Sequence, residues 1–69
     1  MKDVLELLQR DYNYEMSQVD SWTKQSKFNF FNEDVEKAER SNQMAEEHLA
    51  KAKLYNEAIR TIELTTVAA

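Results

Sequence analysis

Glycine, proline and cysteine are all absent from the 69 residues of the chain. Tight β-turns depend on residues that accept a positive φ angle or that have a fixed one, and glycine and proline are the usual suppliers of these conformations. The chain is instead rich in good helix formers such as Glu, Lys, Ala and Leu, so the composition predicts an all-α fold. The lack of cysteine excludes disulfides and thiolate metal sites.

Imidazole is nearly absent as well, because His48 is the only histidine. A zinc site built from several imidazoles of one chain is therefore excluded. Carboxylate-bridged di-metal bundles use a Glu-x-x-His pair, and Ala45 stands where that glutamate would be. No nucleophile–base pair is recognisable. We predict a non-enzymatic protein with no catalytic residue, cofactor or metal, in which His48 is a boundary histidine of a bundle; a pH-sensitive or ligand-binding His48 is the alternative.

Long apolar runs are also missing. The first fifteen residues carry charges throughout, and no segment approaches the roughly 20 apolar residues of a membrane span. We therefore predict a cytoplasmic protein without a signal peptide or membrane partner. The net charge of -4 argues against general nucleic-acid binding and weakly favours a basic partner.

The amino-terminal half carries one apolar stripe at spacings of three and four residues, which is typical of an amphipathic helix. Asp3 and Glu6 form a pattern similar to a capping box at its start. Glu15 falls at the edge of the stripe, where we expect it to pair with a cation. The pattern predicts a first helix over about residues 3–26 with the stripe Leu5, Leu8, Tyr12, Met16, Val19 and Trp22.

A second helical pattern follows Asn32, which is a favourable N-cap residue, and the acidic residues after it suit a helix start. We predict a second helix over about residues 33–64 and a frayed tail over residues 65–69. A sustained period of 3.5 residues predicts left-handed supercoiling against another helix. The stripe comprises Phe31, Val35, Ala38, Asn42, Ala45, Leu49, Ala52, Asn56 and Ile59, with Ser41, His48, Tyr55 and Ile62 as a parallel column.

Asn42 and Asn56 occupy core-type positions of the second stripe. An asparagine within a helical seam fixes register and oligomeric state at some cost in stability. The alternative is that both lie at the exposed edge of a wide stripe.

The two stripes are out of phase on a continuous helix, which favours a chain reversal over about residues 27–32. The predicted fold is an antiparallel two-helix hairpin, coiled-coil-like, that forms a single domain over residues 1–69. One long kinked helix is the alternative, because no glycine enforces a turn. A reversal there places residue i opposite about residue 59 minus i, so Ile59, Ile62 and Leu64 are expected to extend beyond the first helix.

One hairpin gives each helix a single neighbour, and a chain this short buries little core without a supplement. Because the composition excludes disulfides and a metal site, self-association into a four-helix bundle is the remaining way to enlarge the core. We predict a homodimer whose core and interface residues are Leu5, Leu8, Tyr12, Val19, Trp22, Phe31, Val35, Ala45, Leu49, Ala52, Ile59 and Ile62.

Six of the seven aromatic residues cluster between residues 12 and 31. Aromatic side chains are enriched at the energetic centres of protein interfaces. We expect Trp22, Phe30 and Phe31 to fill the end of the bundle and Phe28 to remain partly exposed. The candidate surface for a protein partner consists of Leu7, Tyr14, Phe28 and Phe30.

These features predict a module for protein–protein interaction: a small regulator, inhibitor or assembly factor that acts as a homodimer on an unidentified protein. Nucleic-acid binding is one alternative, since a dimer of hairpins is similar in shape to the RNA-binding Rop bundle, although no motif of that protein is present. A bundle that mimics nucleic acid and a purely structural oligomer are the others.

Overall fold

The chain folds as a helical hairpin in a computed structural model that describes the backbone of residues 2–68. Helix α1 spans Lys2–Phe31 and helix α2 spans Val35–Ala68. The two helices pack against each other along an elongated molecule with principal extents of 55, 14 and 11 Å. The predicted all-α hairpin is confirmed, and the alternative of one long helix is wrong.

The chain reverses over three residues, 32–34, and not over 27–32 as predicted. α1 ends in a Schellman motif, in which the Asp34 amide donates to the Asn29 carbonyl at 2.9 Å and the Glu33 amide to the Phe30 carbonyl at 3.0 Å. Glu33 occupies the left-handed region with φ of 61°, the position that most proteins give to glycine. The first helix is therefore longer than the predicted residues 3–26.

Capping at the turn differs from the prediction. Asn32 does not cap α2, because its side-chain amide donates to the Phe28 carbonyl at 2.7 Å and so helps to satisfy the end of α1. Asp34 is the N-cap of α2: its Oδ1 accepts from the Lys37 amide at 3.2 Å and its carbonyl accepts from the Ala38 amide. Asparagine suits both helix ends, so residue type alone could not distinguish the two roles.

We predict that Glu33→Gly stabilises the hairpin by about 0.5–1 kcal/mol, because glycine has no Cβ to disfavour a positive φ. Thermal unfolding followed by circular dichroism measures the change. Glu33→Ala is the control, since it removes the same charge but keeps a Cβ, and we expect it to leave stability close to that of the natural sequence. Equal gains in both variants would assign the effect to charge and contradict the conformational explanation.

The interhelical seam of α2 follows a seven-residue repeat. Its buried column is almost entirely alanine, and a half-buried column runs beside it. Small side chains let two helices approach closely, and the distance between helix axes depends on the side chains at the contact. The buried column comprises Ala38, Ala45, Ala52 and Ile59, and the second column comprises Ser41, which is also buried, with His48, Tyr55 and Ile62.

The register of the hairpin also differs from the prediction. The Ser26 hydroxyl donates to the Ala38 carbonyl and Glu15 contacts His48, so facing residue numbers add to 64 and 63, not 59. The difference follows from the later turn. As a result Ile59 is buried against α1 and does not extend beyond it, whereas Leu64 is exposed.

Helix α2 continues to Ala68, beyond the predicted end at residue 64. The predicted frayed tail over residues 65–69 is therefore helical as far as Ala68. Ala69 lies outside the described residues.

Candidate protein-interaction surfaces

The buried seam uses only part of the predicted core and interface set. Ala45, Ala52 and Ile59 are buried. Half-buried positions along the two helices are Leu5, Leu8, Tyr12, Val19, Trp22 and Ile62. Phe31, Val35 and Leu49 are exposed in the hairpin, so any contact that buries them is with another molecule.

A polar pair crosses the seam near the middle of the hairpin. Nδ1 of His48 lies 2.5 Å from Oε2 of Glu15, and the two side chains are only 15% and 9% exposed. Glu15 is thus a buried interhelical partner and not an edge residue, and it contacts His48 and not a lysine or arginine. His48 was not predicted as that partner, because the predicted register placed Glu15 nearer Met44.

A second polar layer lies next to the turn. Ser26 bonds to the Ala38 carbonyl at 3.0 Å, and the Asn29 side-chain amide donates to the hydroxyl of the buried Ser41 at 3.4 Å. Among the described residues, no buried side-chain nitrogen or oxygen lacks a hydrogen-bond partner. The seam is therefore polar at its turn end and at its centre, and its buried polar side chains all have hydrogen-bond partners.

The phenylalanines at the turn do not fill the end of a core within one hairpin. Phe28, Phe30 and Phe31 are 64%, 66% and 83% exposed. Because α1 continues through Phe31, these side chains leave the helix in three directions, and none falls on the seam. The expectation of an exposed Phe28 agrees with the structure, and the expectation that Phe30 and Phe31 fill the end of a four-helix bundle stays a prediction, because it requires a second hairpin.

The side of α1 that faces away from α2 carries a second apolar surface, which we call the outer face. Leu7, Tyr14 and Phe28 recur on it at multiples of seven residues and are each half exposed or more. Ser21 occupies the remaining position of this seven-residue repeat. A shallow groove next to it is lined by Ser21, Lys24, Gln25 and Phe28. The outer face is a surface that the hairpin cannot cover itself.

One side of the hairpin carries no charged residue over most of its length, and we call it the uncharged side. A groove lined by Phe30, Val35 and Asn42 shows that these residues share this side, and Glu39 also lines this groove from the α2 edge. The heptad repeat extends it along both helices. Its members are Gln9, Met16, Thr23 and Phe30 from α1 and Val35, Asn42, Leu49 and Asn56 from α2; all of them except Met16 are exposed.

The opposite side, the charged side, holds a groove of about 460 Å³. Trp22 lies in it together with Lys37 and Arg40. Lys37 is also 3.7 Å from Asp34, so one of the two cations already has an acidic neighbour.

Over the part of the chain that the structure describes, no three histidine, cysteine, aspartate or glutamate residues come together as a metal site. Within the same residues, neither helix has an apolar segment long enough to cross a membrane.

Comparison with protein-family models, curated proteins and solved structures finds no match to the chain. The function is therefore inferred from the outer face, the uncharged side and the seam between the helices.

Proposed function

We propose that the chain is a non-enzymatic module for protein–protein interaction, a small regulator, inhibitor or assembly factor that acts as a homodimer. The observation that carries the proposal is the poor burial of large apolar side chains. Among the described residues, none of the large side chains is fully buried, whereas ten large apolar ones are exposed. A hairpin with this distribution leaves most of its potential hydrophobic stabilisation for contacts with other molecules.

Surface area supports the same proposal. The hairpin exposes 5580 Å², whereas a compact monomer of this mass exposes roughly 4,500 Å². The excess is of the order of the 800 Å² or so that each partner buries in a standard interface. Two surfaces are available, and we assign the uncharged side to self-association and the outer face of α1 to a protein partner.

Self-association is tested by sedimentation equilibrium at micromolar concentration. We expect a dimer, because pairing two hairpins covers side chains that one hairpin leaves in water. A stably folded helical monomer of 8.2 kDa would contradict the homodimer. Assembly far beyond a dimer would favour the structural-oligomer alternative.

The protein partner is tested by affinity capture from native cell extract with the double variant Tyr14→Ala/Phe28→Ala. We expect a protein that the natural sequence retains to be lost, because truncated aromatic anchors commonly cost more than 1–2 kcal/mol at an interface. Leu54→Ala is the matched control, since Leu54 is equally exposed but lies on α2. Retention of the same protein by the double variant would exclude the outer face as its binding surface.

Nucleic-acid binding is the second candidate, and the groove that holds Trp22, Lys37 and Arg40 favours it. Aromatic stacking combined with cations is a common way to hold single strands. Trp22 is the only tryptophan, so its fluorescence reports directly on this groove. Quenching by RNA or DNA that weakens with salt would favour this function over the protein module, and unchanged fluorescence would count against it.

A further inference from the structure

The uncharged side has the layout of a surface that meets a copy of itself. Met16 and Leu49 lie at nearly the same level of the hairpin, because their numbers add to 65, next to the 63 and 64 of the contacting pairs. They mark the middle of this side. On α2, Asn42 and Asn56 lie seven residues before and after Leu49. On α1, Gln9 and Thr23 lie seven residues before and after Met16.

Charged residues along the α2 edge of the uncharged side are sorted by sign. Glu39 and Glu46 lie in the half near the turn, and Lys53 and Arg60 lie in the half near the open end. All four are exposed, and none of them takes part in the ion pairs found among the described residues. An edge with one acidic half and one basic half is complementary to itself only when two copies run in opposite directions.

The α1 edge has a weaker form of this property, because only its two end residues are opposite in sign. Glu6 lies near the open end and Lys27 near the turn, at nearly equal distances from Met16. Between them, Asn13 and Asp20 form the middle of the edge, and Asp20 is bound to Lys24 on its own helix at 3.0 Å. Both edges therefore specify one two-fold axis. It is perpendicular to the helix axes, lies between the two facing hairpins, and passes at the level of Met16 and Leu49.

We infer that a second copy of this chain is the occupant of the uncharged side, and that the two hairpins pack antiparallel across that axis, α1 beside α1 and α2 beside α2. This inference rests on the proposed self-association and specifies its geometry. Leu49 meets Leu49 of the partner subunit, and Asn42 lies opposite Asn56 of the partner subunit. Along the edges, Glu46 faces the partner's Lys53, Glu39 faces the partner's Arg60, and Glu6 faces the partner's Lys27.

Paired amides of Asn42 and Asn56 satisfy each other only in this register, so they discriminate against slippage in the way that polar seam residues do in coiled coils. The opposite arrangement, with both turns at one end, brings α1 beside the α2 of the second copy. There Asp20 faces the partner's Glu46, two acids at one level, whereas Lys27 faces the partner's Glu39 and Glu6 faces the partner's Arg60. The asparagines then face the partner's Thr23 and the partner's Gln9. Charge favours the antiparallel dimer, because its six edge contacts between charged residues are all attractive, whereas the other arrangement has four attractive and two repulsive contacts.

The test measures the dimer dissociation constant by sedimentation at low ionic strength, where edge charges are least screened. Glu46→Lys and Lys53→Glu each replace two attractive contacts per dimer by repulsive ones, and we expect each to weaken the dimer roughly tenfold. The double variant Glu46→Lys/Lys53→Glu restores opposite charges and should return the constant to within about threefold of the natural sequence. An equimolar mixture of the two single variants should form heterodimers in preference to either homodimer.

Glu47→Lys is the matched control, because it makes the same charge change on the outer surface of α2, and it should leave the constant unchanged. A tighter dimer with Glu46→Lys would overturn the inference in favour of the arrangement with both turns at one end, where that residue faces Asp20. A dimer insensitive to all of these changes would overturn the assigned interface while leaving self-association intact. A natural sequence that stays monomeric would overturn the homodimer itself.

A single introduced thiol gives an independent measurement, since the chain has no cysteine of its own. Leu49→Cys should form an intermolecular disulfide on mild oxidation, because residues on the two-fold axis bring their Cβ atoms close to the roughly 4 Å that a disulfide requires. Ala50→Cys, one residue away on the outer surface, is the control and should crosslink at least tenfold more slowly. Equal crosslinking rates would overturn the placement of the axis.

Discussion

Replacing His48 with alanine should destabilise the hairpin by about 3 kcal/mol. The change removes the partner of Glu15, whose carboxylate is then left in a seam where it is only 7% exposed as a residue. Breaking a buried pair by removing one member is costly, because the remaining charged group keeps its desolvation penalty without its compensating contact. Chemical denaturation followed by circular dichroism at neutral pH measures the loss.

Glu15→Gln distinguishes loss of the contact from loss of charge. The glutamine carbonyl still accepts a hydrogen bond from the imidazole, so we expect a smaller loss of about 1 kcal/mol. The cycle formed by Glu15→Ala, His48→Ala and the double variant should give a coupling energy of about 1.5–3 kcal/mol. A coupling energy near zero would show that the two residues contribute independently and that the pair does not stabilise the hairpin.

The pair has a second consequence for the fold. A column with alanine at every seventh position accepts a helix equally well after a slip of one heptad, because each alanine is replaced by another. Glu15 and His48 occur once each in their columns, so a slip leaves both without a partner. We therefore expect the destabilised variants to show more than one register as well as a lower free energy of unfolding.

Ala52→Leu should destabilise the hairpin by about 2–3 kcal/mol. Ala52 is 1% exposed, the least of the buried apolar residues. Three additional carbon atoms cannot enter a packed seam unless the helices separate or side chains leave their preferred rotamers, which costs about 1–3 kcal/mol in well-packed cores. Separation of the helices also weakens the contact between Glu15 and His48 on the same seam, so the upper part of that range is expected.

Ala50→Leu is the control for this substitution. It introduces the same side chain two residues away in the same helix, at an exposed position. Its effect should stay within about 0.5 kcal/mol. Equal stability of the two leucine variants, measured as midpoints of urea unfolding, would mean that the seam at residue 52 is not tightly packed.

Helix content and the interhelical stripes were predictable from the sequence, because both depend on local properties. The lack of glycine and proline restricts the chain to helices, and the recurrence of Ala38, Ala45 and Ala52 at seven-residue intervals identifies the buried column. Exposure of Leu7, Tyr14 and Phe28 was predictable for the same reason, since a helical period places them away from the stripe.

The turn was not predictable to the residue. Its geometry depends on Glu33 in a left-handed conformation that residue preferences assign to glycine or asparagine. The displaced turn shifted the register, and the shifted register decided which residues meet. Glu15 and His48 are 33 residues apart in sequence, so no local pattern relates them.

The sequence alone therefore determined that this chain is helical, which faces of its helices are apolar, and that it carries more apolar surface than one hairpin can bury. Each of these properties follows from the chemistry of neighbouring residues and from the helical period. Only the tertiary structure decided where the chain turns, that Asp34 and not Asn32 begins α2, and that His48 meets Glu15. Those outcomes depend on contacts between distant parts of the chain, whose combined energy selects one register from several that the local pattern allows.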